Sequence, residues 1–206
     1  MNLHMWLKRS PLIAILRGVK PSEVEAICAA LEEAGIVIVE VPLNSPEPLK
    51  SIETLAQRFG DRMIIGAGTL TRVSEVASVA SAGGRLIVTP HADISIVRAA
   101  KEAKLIAVPG FFNPTEAFAL LQAGADGIKL FPADVLGPNM LKSMRAVLPN
   151  DAIVIPVGGM GVAQIPVWLN AGAQGFGLGS SLYKPGDSPT AVKTRAKALI
   201  AALHQN

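Results

Sequence analysis

The sequence predicts an α/β protein, a single (β/α)8 TIM barrel that occupies residues 1–206 as one domain. Three observations predict it. Eight short runs rich in β-branched residues each end at Gly, Pro, Asn, Thr or Ser, and a helical pattern follows each one. The strand-and-helix unit repeats about every 25 residues, the size of a barrel unit. The first run leads into Arg17-Gly18-Val19-Lys20. An open, doubly wound nucleotide-binding sheet would usually have a GxGxxG turn there.

The strand runs are 12–18 (LIAILRG), 36–43 (IVIVEVPL), 63–69 (MIIGAGT), 85–90 (RLIVTP), 105–110 (LIAVPG), 126–132 (DGIKLFP), 152–159 (AIVIPVGG) and 175–180 (GFGLGS). They are apolar almost throughout, as strands covered on both faces are. The helical segments are 21–34, 48–59, 72–82, 94–103, 114–123, 138–148, 163–171 and 189–203. Pro21, Pro48, Pro114, Pro138 and Pro189 open five of them, at the first turn where a missing N–H breaks no bond. Ala-Gly closes four, at Gly35, Gly83, Gly124 and Gly172, where glycine supplies the left-handed residue that ends a helix. Residues 1–9 are expected to form a helix that plugs the lower end of the barrel.

Composition narrows the function. Half of the residues are apolar and 17% are charged, which excludes disorder and requires a large interior. No apolar stretch reaches the roughly 18 residues a membrane span needs, and residues 1–9 do not read as a signal peptide. The lone Cys28 points to a reducing cytoplasm, and its neighbours Ile27 and Leu31 make it a core thiol. A net charge of +3 from scattered bases, with 4% aromatics, argues against a nucleic-acid surface. His91 has no second His or Cys near it, so no metal site is expected.

Barrel chemistry gathers at the C-terminal ends of strands. That rule selects Arg17, Glu40, Asn44, Thr69, Thr89, Lys129 and Ser180. Lys129 and Glu40 are anomalous because each lies within an apolar run, where a charge must be matched or neutralised. Two readings are open. The pair could be an ion pair that serves only the fold. Alternatively, Lys129 is a desolvated amine that attacks a ketone, and Glu40 is its proton-transfer partner. Phe131 lies two residues beyond Lys129, shares its face and would wall a pocket. Val157-Gly158-Gly159 and Gly179-Ser180 close the seventh and eighth runs, where barrels often hold a phosphate on backbone N–H groups. The bland alternative is two tight turns with no ligand.

Seven stretches fall in order at these strand ends: Ile15-Leu16-Arg17-Gly18, Glu40-Val41-Pro42-Leu43-Asn44-Ser45, Gly66-Ala67-Gly68-Thr69, Val88-Thr89-Pro90, Lys129-Leu130-Phe131-Pro132, Val157-Gly158-Gly159 and Gly179-Ser180. In them the chain resembles the bacterial 2-keto-3-deoxy-6-phosphogluconate / 2-keto-3-deoxy-6-phosphogalactonate aldolase family, over almost its whole length. The resemblance implies a Schiff base on Lys129, with Glu40 moving protons. It implies Thr69 and Thr89 near the substrate carboxylate and iminium, and Arg17 against the substrate's negative charge. Gly158, Gly159, Gly179 and Ser180 would hold the phosphate. It further implies pyruvate and D-glyceraldehyde 3-phosphate as products, a homotrimer, and no cofactor. The gluconate branch looks like Glu-Val-Thr-Leu-Arg-Thr in the second run and Thr-Gly-Gly in the seventh. Asn44 and Val157 depart from that pattern and resemble the galactonate branch. A barrel isomerase and a non-catalytic sugar-phosphate sensor remain as alternatives. The isomerase would not need a mid-strand lysine, and the sensor would bind substrate without yielding pyruvate.

Overall fold

The computed structural model describes residues 2–204. In chain order the elements are α1 (Leu3–Arg9), β1 (Leu12–Ile15), α2 (Pro21–Ala34), β2 (Ile38–Pro42), α3 (Pro48–Phe59), β3 (Ile64–Gly68), α4 (Ser74–Ser81), β4 (Leu86–Val88) and α5 (Ile94–Glu102). There follow β5 (Ile106–Val108), β6 (Gly110–Phe111), α6 (Pro114–Gln122), β7 (Ile128–Leu130), α7 (Ala133–Leu136), α8 (Pro138–Arg145), β8 (Val154–Pro156), α9 (Gln164–Asn170), β9 (Phe176–Leu178) and α10 (Pro189–Ala202).

Every strand pairing is parallel. One sheet has the order β5-β4-β3-β2-β1-β9 and a second has β6-β7-β8. The chain therefore has an α/β fold with its parallel sheet curled like a half-barrel. A parallel bridge between Val157 and Gly177 runs from the end of β8 to β9. The Gln174 N–H donates to the Val154 carbonyl at 3.1 Å alongside it. Strand residues are buried on both faces, as their uniform apolar character requires.

The helix ends follow the local chemistry. Gly35, Gly83, Gly124 and Gly172 have φ of 102°, 80°, 94° and 98°, the left-handed closure expected of them. Leu3 and Leu7 of α1 are buried. They fill the space that side chains at Gly127 and Gly175 would take, just before β7 and β9, so α1 covers the N-terminal ends of those strands. Met1, the first residue of the expected helix, lies outside the described residues. Cys28 is a core thiol, its Sγ 3.7 Å from Met63 Sδ, and burial pushes its pKa up.

Several expectations need correction. The hydrogen-bonded strands are shorter than the apolar runs. The first run ends as β1 at Ile15, because the chain turns through an exposed Arg17 and a left-handed Gly18. The fifth run splits into β5 and β6 at Pro109, which has no N–H to give a ladder; its carbonyl still accepts from Lys129 N at 2.8 Å. The helix expected from residue 72 begins at Ser74, since the Glu75 carboxylate takes the N–H groups of Thr71 and Arg72. The one-turn helix α7 was not anticipated; it turns the chain directly after the strand that carries Lys129.

Candidate functional site

Lys129 is the middle residue of β7, in register with Gly110 on one side and Ile155 on the other. It is 6% exposed, and its Nζ lies 4.6 Å from the centroid of the Phe131 ring. Burial pushes the amine's pKa down, the Glu40 carboxylate opposes that, and Arg17 reinforces it. The Phe131 ring thus stands beside the Lys129 amine.

Glu40 lies in β2, in register with Ile15 of β1 and Gly66 of β3. It is 2% exposed, and its Oε2 has no hydrogen-bond partner among the described residues. Burial pushes its pKa up to about 7, even though the charges of Lys129 and Arg17 pull the other way. The ion pairs among the described residues lie elsewhere, so the two groups are not held as a contact pair. Their environments push both toward the uncharged form, an arrangement suited to proton transfer.

Three consecutive strand ends meet beside Glu40. Arg17, beyond β1, donates from Nη1 to Asn44 Oδ1 at 2.6 Å and from Nη2 to Thr69 Oγ1 at 3.2 Å. Thr69 has φ of 60°, a strained conformation for a β-branched residue and one that marks functional sites. Thr89 is differently employed. Its hydroxyl donates to the His91 carbonyl at 2.5 Å and accepts from Gly110 N at 3.1 Å. The proton is committed to the His91 carbonyl, and the oxygen, by accepting from Gly110 N, ties the end of β4 to β6.

A cavity of about 420 Å³ opens over the ends of β1, β8 and β9. It brings together Arg17, Phe131, Val157, Gly158, Gly159, Gly179 and Ser180 of the expected site. Lys129, Glu40, Thr69 and Thr89 do not line it. Lys129 adjoins it through Phe131, and Thr69 through Arg17. The loop after β8 turns on Gly158 and Gly159, with φ of 113° and 66°. The chain after β9 makes one turn, in which Leu182 N and Tyr183 N donate to the Gly179 carbonyl. Among the described residues, the N–H groups of Gly159, Ser180 and Ser181 have no acceptor, which leaves donors at the cavity wall for an anion.

Sequence reasoning missed three contributors. Ser181 lines the cavity with a buried, unpartnered Oγ. Lys184 lines it too, and is the only basic residue between Arg145 and Lys193. That isolation, just after Gly179-Ser180, was a usable signal. Asp134 of α7 lies against the glycine turn, with its Oδ1 2.8 Å from where a Gly158 Cβ would stand. Nothing local in the sequence announces that contact. His91 is exposed, with its Nε2 3.9 Å from Asp93 Oδ2. No group of three potential metal ligands occurs among the described residues.

Both the sequence and the fold match those of known proteins. The sequence model of the KDPG and KHG aldolases matches residues 3–191. The probable 2-dehydro-3-deoxy-6-phosphogalactonate aldolase of Rhizobium meliloti (strain 1021) is 47% identical, over 93% of this chain and 91% of its own length. The 2-dehydro-3-deoxy-6-phosphogalactonate aldolase of Escherichia coli (strain K12) is 40% identical, over 97% of this chain and 98% of its own. A solved structure of native KDPGal superimposes with a TM-score of 0.92 at 42% identity, covering 93% of each chain. By its sequence and by its fold, the chain belongs to the KDPG and KHG aldolase family.

Proposed function

We propose that the chain is a class I aldolase that cleaves 2-dehydro-3-deoxy-6-phospho-D-galactonate to pyruvate and D-glyceraldehyde 3-phosphate, with Lys129 forming the Schiff base. One observation carries this reading. Lys129 is an amine buried within a strand, and desolvation drives it toward its neutral, nucleophilic form. In the proposed cycle Nζ adds to the C2 ketone, and loss of water from the carbinolamine gives an iminium. A base takes the C4 hydroxyl proton and the C3–C4 bond breaks. Its electron pair passes to the iminium nitrogen, so an enamine remains as the aldehyde leaves. Protonation at C3 restores an iminium, which water hydrolyses to pyruvate and free Lys129. The iminium is the electron sink, so the cycle calls for no metal or organic cofactor.

Glu40 is the proposed carrier of both protons. A carboxyl with a pKa near 7 and an unpartnered oxygen is suited both to accept and to donate at neutral pH. Arg17, oriented by Asn44 and Thr69, meets the substrate's negative charge. Thr89 buttresses the carboxylate and iminium region, and Phe131 shields the amine. Gly158, Gly159, Gly179 and Ser180 hold the phosphate, with Ser181 and Lys184 added to them. The galactonate substrate is supported by the two relatives that carry its name. It is supported too by Val157, an apolar side chain at the cavity wall that offers a C4 hydroxyl no hydrogen bond.

The same reading extends to the whole molecule. The bridge between Val157 and Gly177 favours closure of the two sheets into one (β/α)8 barrel. So do the N–H groups of Asp126 and Gly127, which donate to the Ala107 carbonyl and link β5 to β7. We take residues 1–206 as one domain, assembled as a homotrimer on family resemblance. The single Cys28 supports a cytoplasmic setting. No described helix is long and apolar enough to cross a membrane. The test is to incubate the protein with pyruvate and borohydride. The peptide containing Lys129 should gain the mass of the reduced adduct, and Lys129→Ala should fold yet form almost no pyruvate from substrate. An adduct on another peptide refutes the assignment.

A further inference from the structure

We infer that Gly68 is a positioning residue for the proton-carrying carboxylate, its missing side chain being the space in which the Glu40 carboxyl lies. The inference rests on the reading of Glu40 given above. Glu40 and Gly68 occupy neighbouring strands, with Glu40 beside Gly66 and Pro42 beside Gly68 in the ladder. A Cβ built on Gly68 would overlap Glu40 Oε2, Cδ and Oε1, the three carboxyl atoms. The carboxyl therefore lies directly over the Gly68 Cα.

Backbone conformation does not explain this glycine. Gly68 is extended within β3, where any residue fits, and its φ lies outside the left-handed region. Main-chain crowding does not explain it either. A Cβ on Gly66 would meet the backbone of Leu86, and one on Gly110 the backbone of Pro90, so those positions are small for the sheet's sake. At Gly68 the obstacle is a functional side chain. The adjoining Thr69, at φ of 60° and bonded to Arg17, holds the end of the same strand in place. A methyl group at 68 would drive the carboxyl off its seat, and misplacement of a catalytic group by about 1 Å costs on the order of 10²-fold in rate.

The experiment is a double-mutant cycle on the full-length enzyme with Gly68→Ala and Glu40→Asp, the latter withdrawing the carboxyl by one methylene. Gly68→Ala alone should lower kcat/KM on the order of 10²-fold, mostly through kcat. Lys129 should still be trapped by pyruvate and borohydride, and the acid limb of the pH profile should move as the carboxyl leaves its buried seat. In the Glu40→Asp background the same Gly68→Ala change should cost less than threefold, because the contested space is then empty. Equal losses in both backgrounds, or full activity of Gly68→Ala, would overturn the inference. If Gly68→Ala does not fold, folding of the double variant supports the inference, and failure of both overturns it. Failure of the wild type to be trapped by pyruvate would instead refute the aldolase reading.

Discussion

Replacing Glu40 by Gln should make this protein more stable and nearly inactive, and the stability gain should depend on pH. The carboxyl's pKa rises from an ordinary 4.5 to about 7 on folding, because burial outweighs the attraction of Lys129 and Arg17. Between those values the native state holds a proton that the unfolded chain has released. A carboxyl raised in this way contributes stability that is fully present below about pH 4.5 and is lost as pH rises through about 7. At about 1.4 kcal/mol per pH unit, ionised Glu40 costs about 3 kcal/mol at pH 8. Glutamine resembles the protonated acid in shape and presents a donor in the same place, so the burial cost common to both cancels. Glu40→Gln should therefore match the wild type near pH 4.5 and exceed it by about 3 kcal/mol at pH 8. For a chain of this size that is about 6–12 °C in Tm. Urea denaturation at fixed protein concentration, at intervals from pH 5 to 8, measures it. Parallel pH dependences, or a less stable Gln variant at pH 8, would refute the reasoning. The same variant should lose on the order of 10²-fold or more in kcat/KM, together with the limb of the pH profile near 7.

Two further predictions concern the cavity. Gly159→Ala forces a Cβ onto a residue at φ of 66°, 2.7 Å from Asp134 Cβ; the turn should shift and raise KM for the phosphorylated substrate far more than for an unphosphorylated analogue. Equal effects on both would remove the phosphate from this turn. Val157→Thr adds a hydroxyl at nearly constant volume, at the cavity wall beside Gly177. One hydrogen bond is worth about 1 kcal/mol, so the kcat/KM ratio should move about fivefold to tenfold toward the gluconate epimer. An unmoved ratio, with both epimers assayed on both proteins, would reduce Val157 to a packing residue.

Much of the frame was legible because the signals are local. A prolyl ring suits a first helical turn wherever it occurs, and Ala-Gly closes a helix by the conformation of one residue. Lys129 and Glu40 were legible for a related reason. A charge inside an apolar run is anomalous whatever surrounds it, and both side chains are indeed buried. The strand ends were overestimated because apolar character continues past the last strand residue, as at Leu16 beyond β1.

What only the tertiary structure decided are the relations between residues far apart in the chain. The carboxyl of Glu40 lies over a glycine 28 positions on. Arg17 is held by Asn44 and Thr69 from beyond the ends of two other strands, and the oxygen of Thr89 is taken up by Gly110 N. Asp134 presses against the Gly158-Gly159 turn. None of these follows from propensity or spacing, because each depends on strand register and on how the side chains share one confined interior. The sequence by itself determined the kinds of element, their order, and which two charges had no place in a core. Register and burial determined what those charges face, and hence the pKa values and open hydrogen bonds on which the proposed chemistry depends.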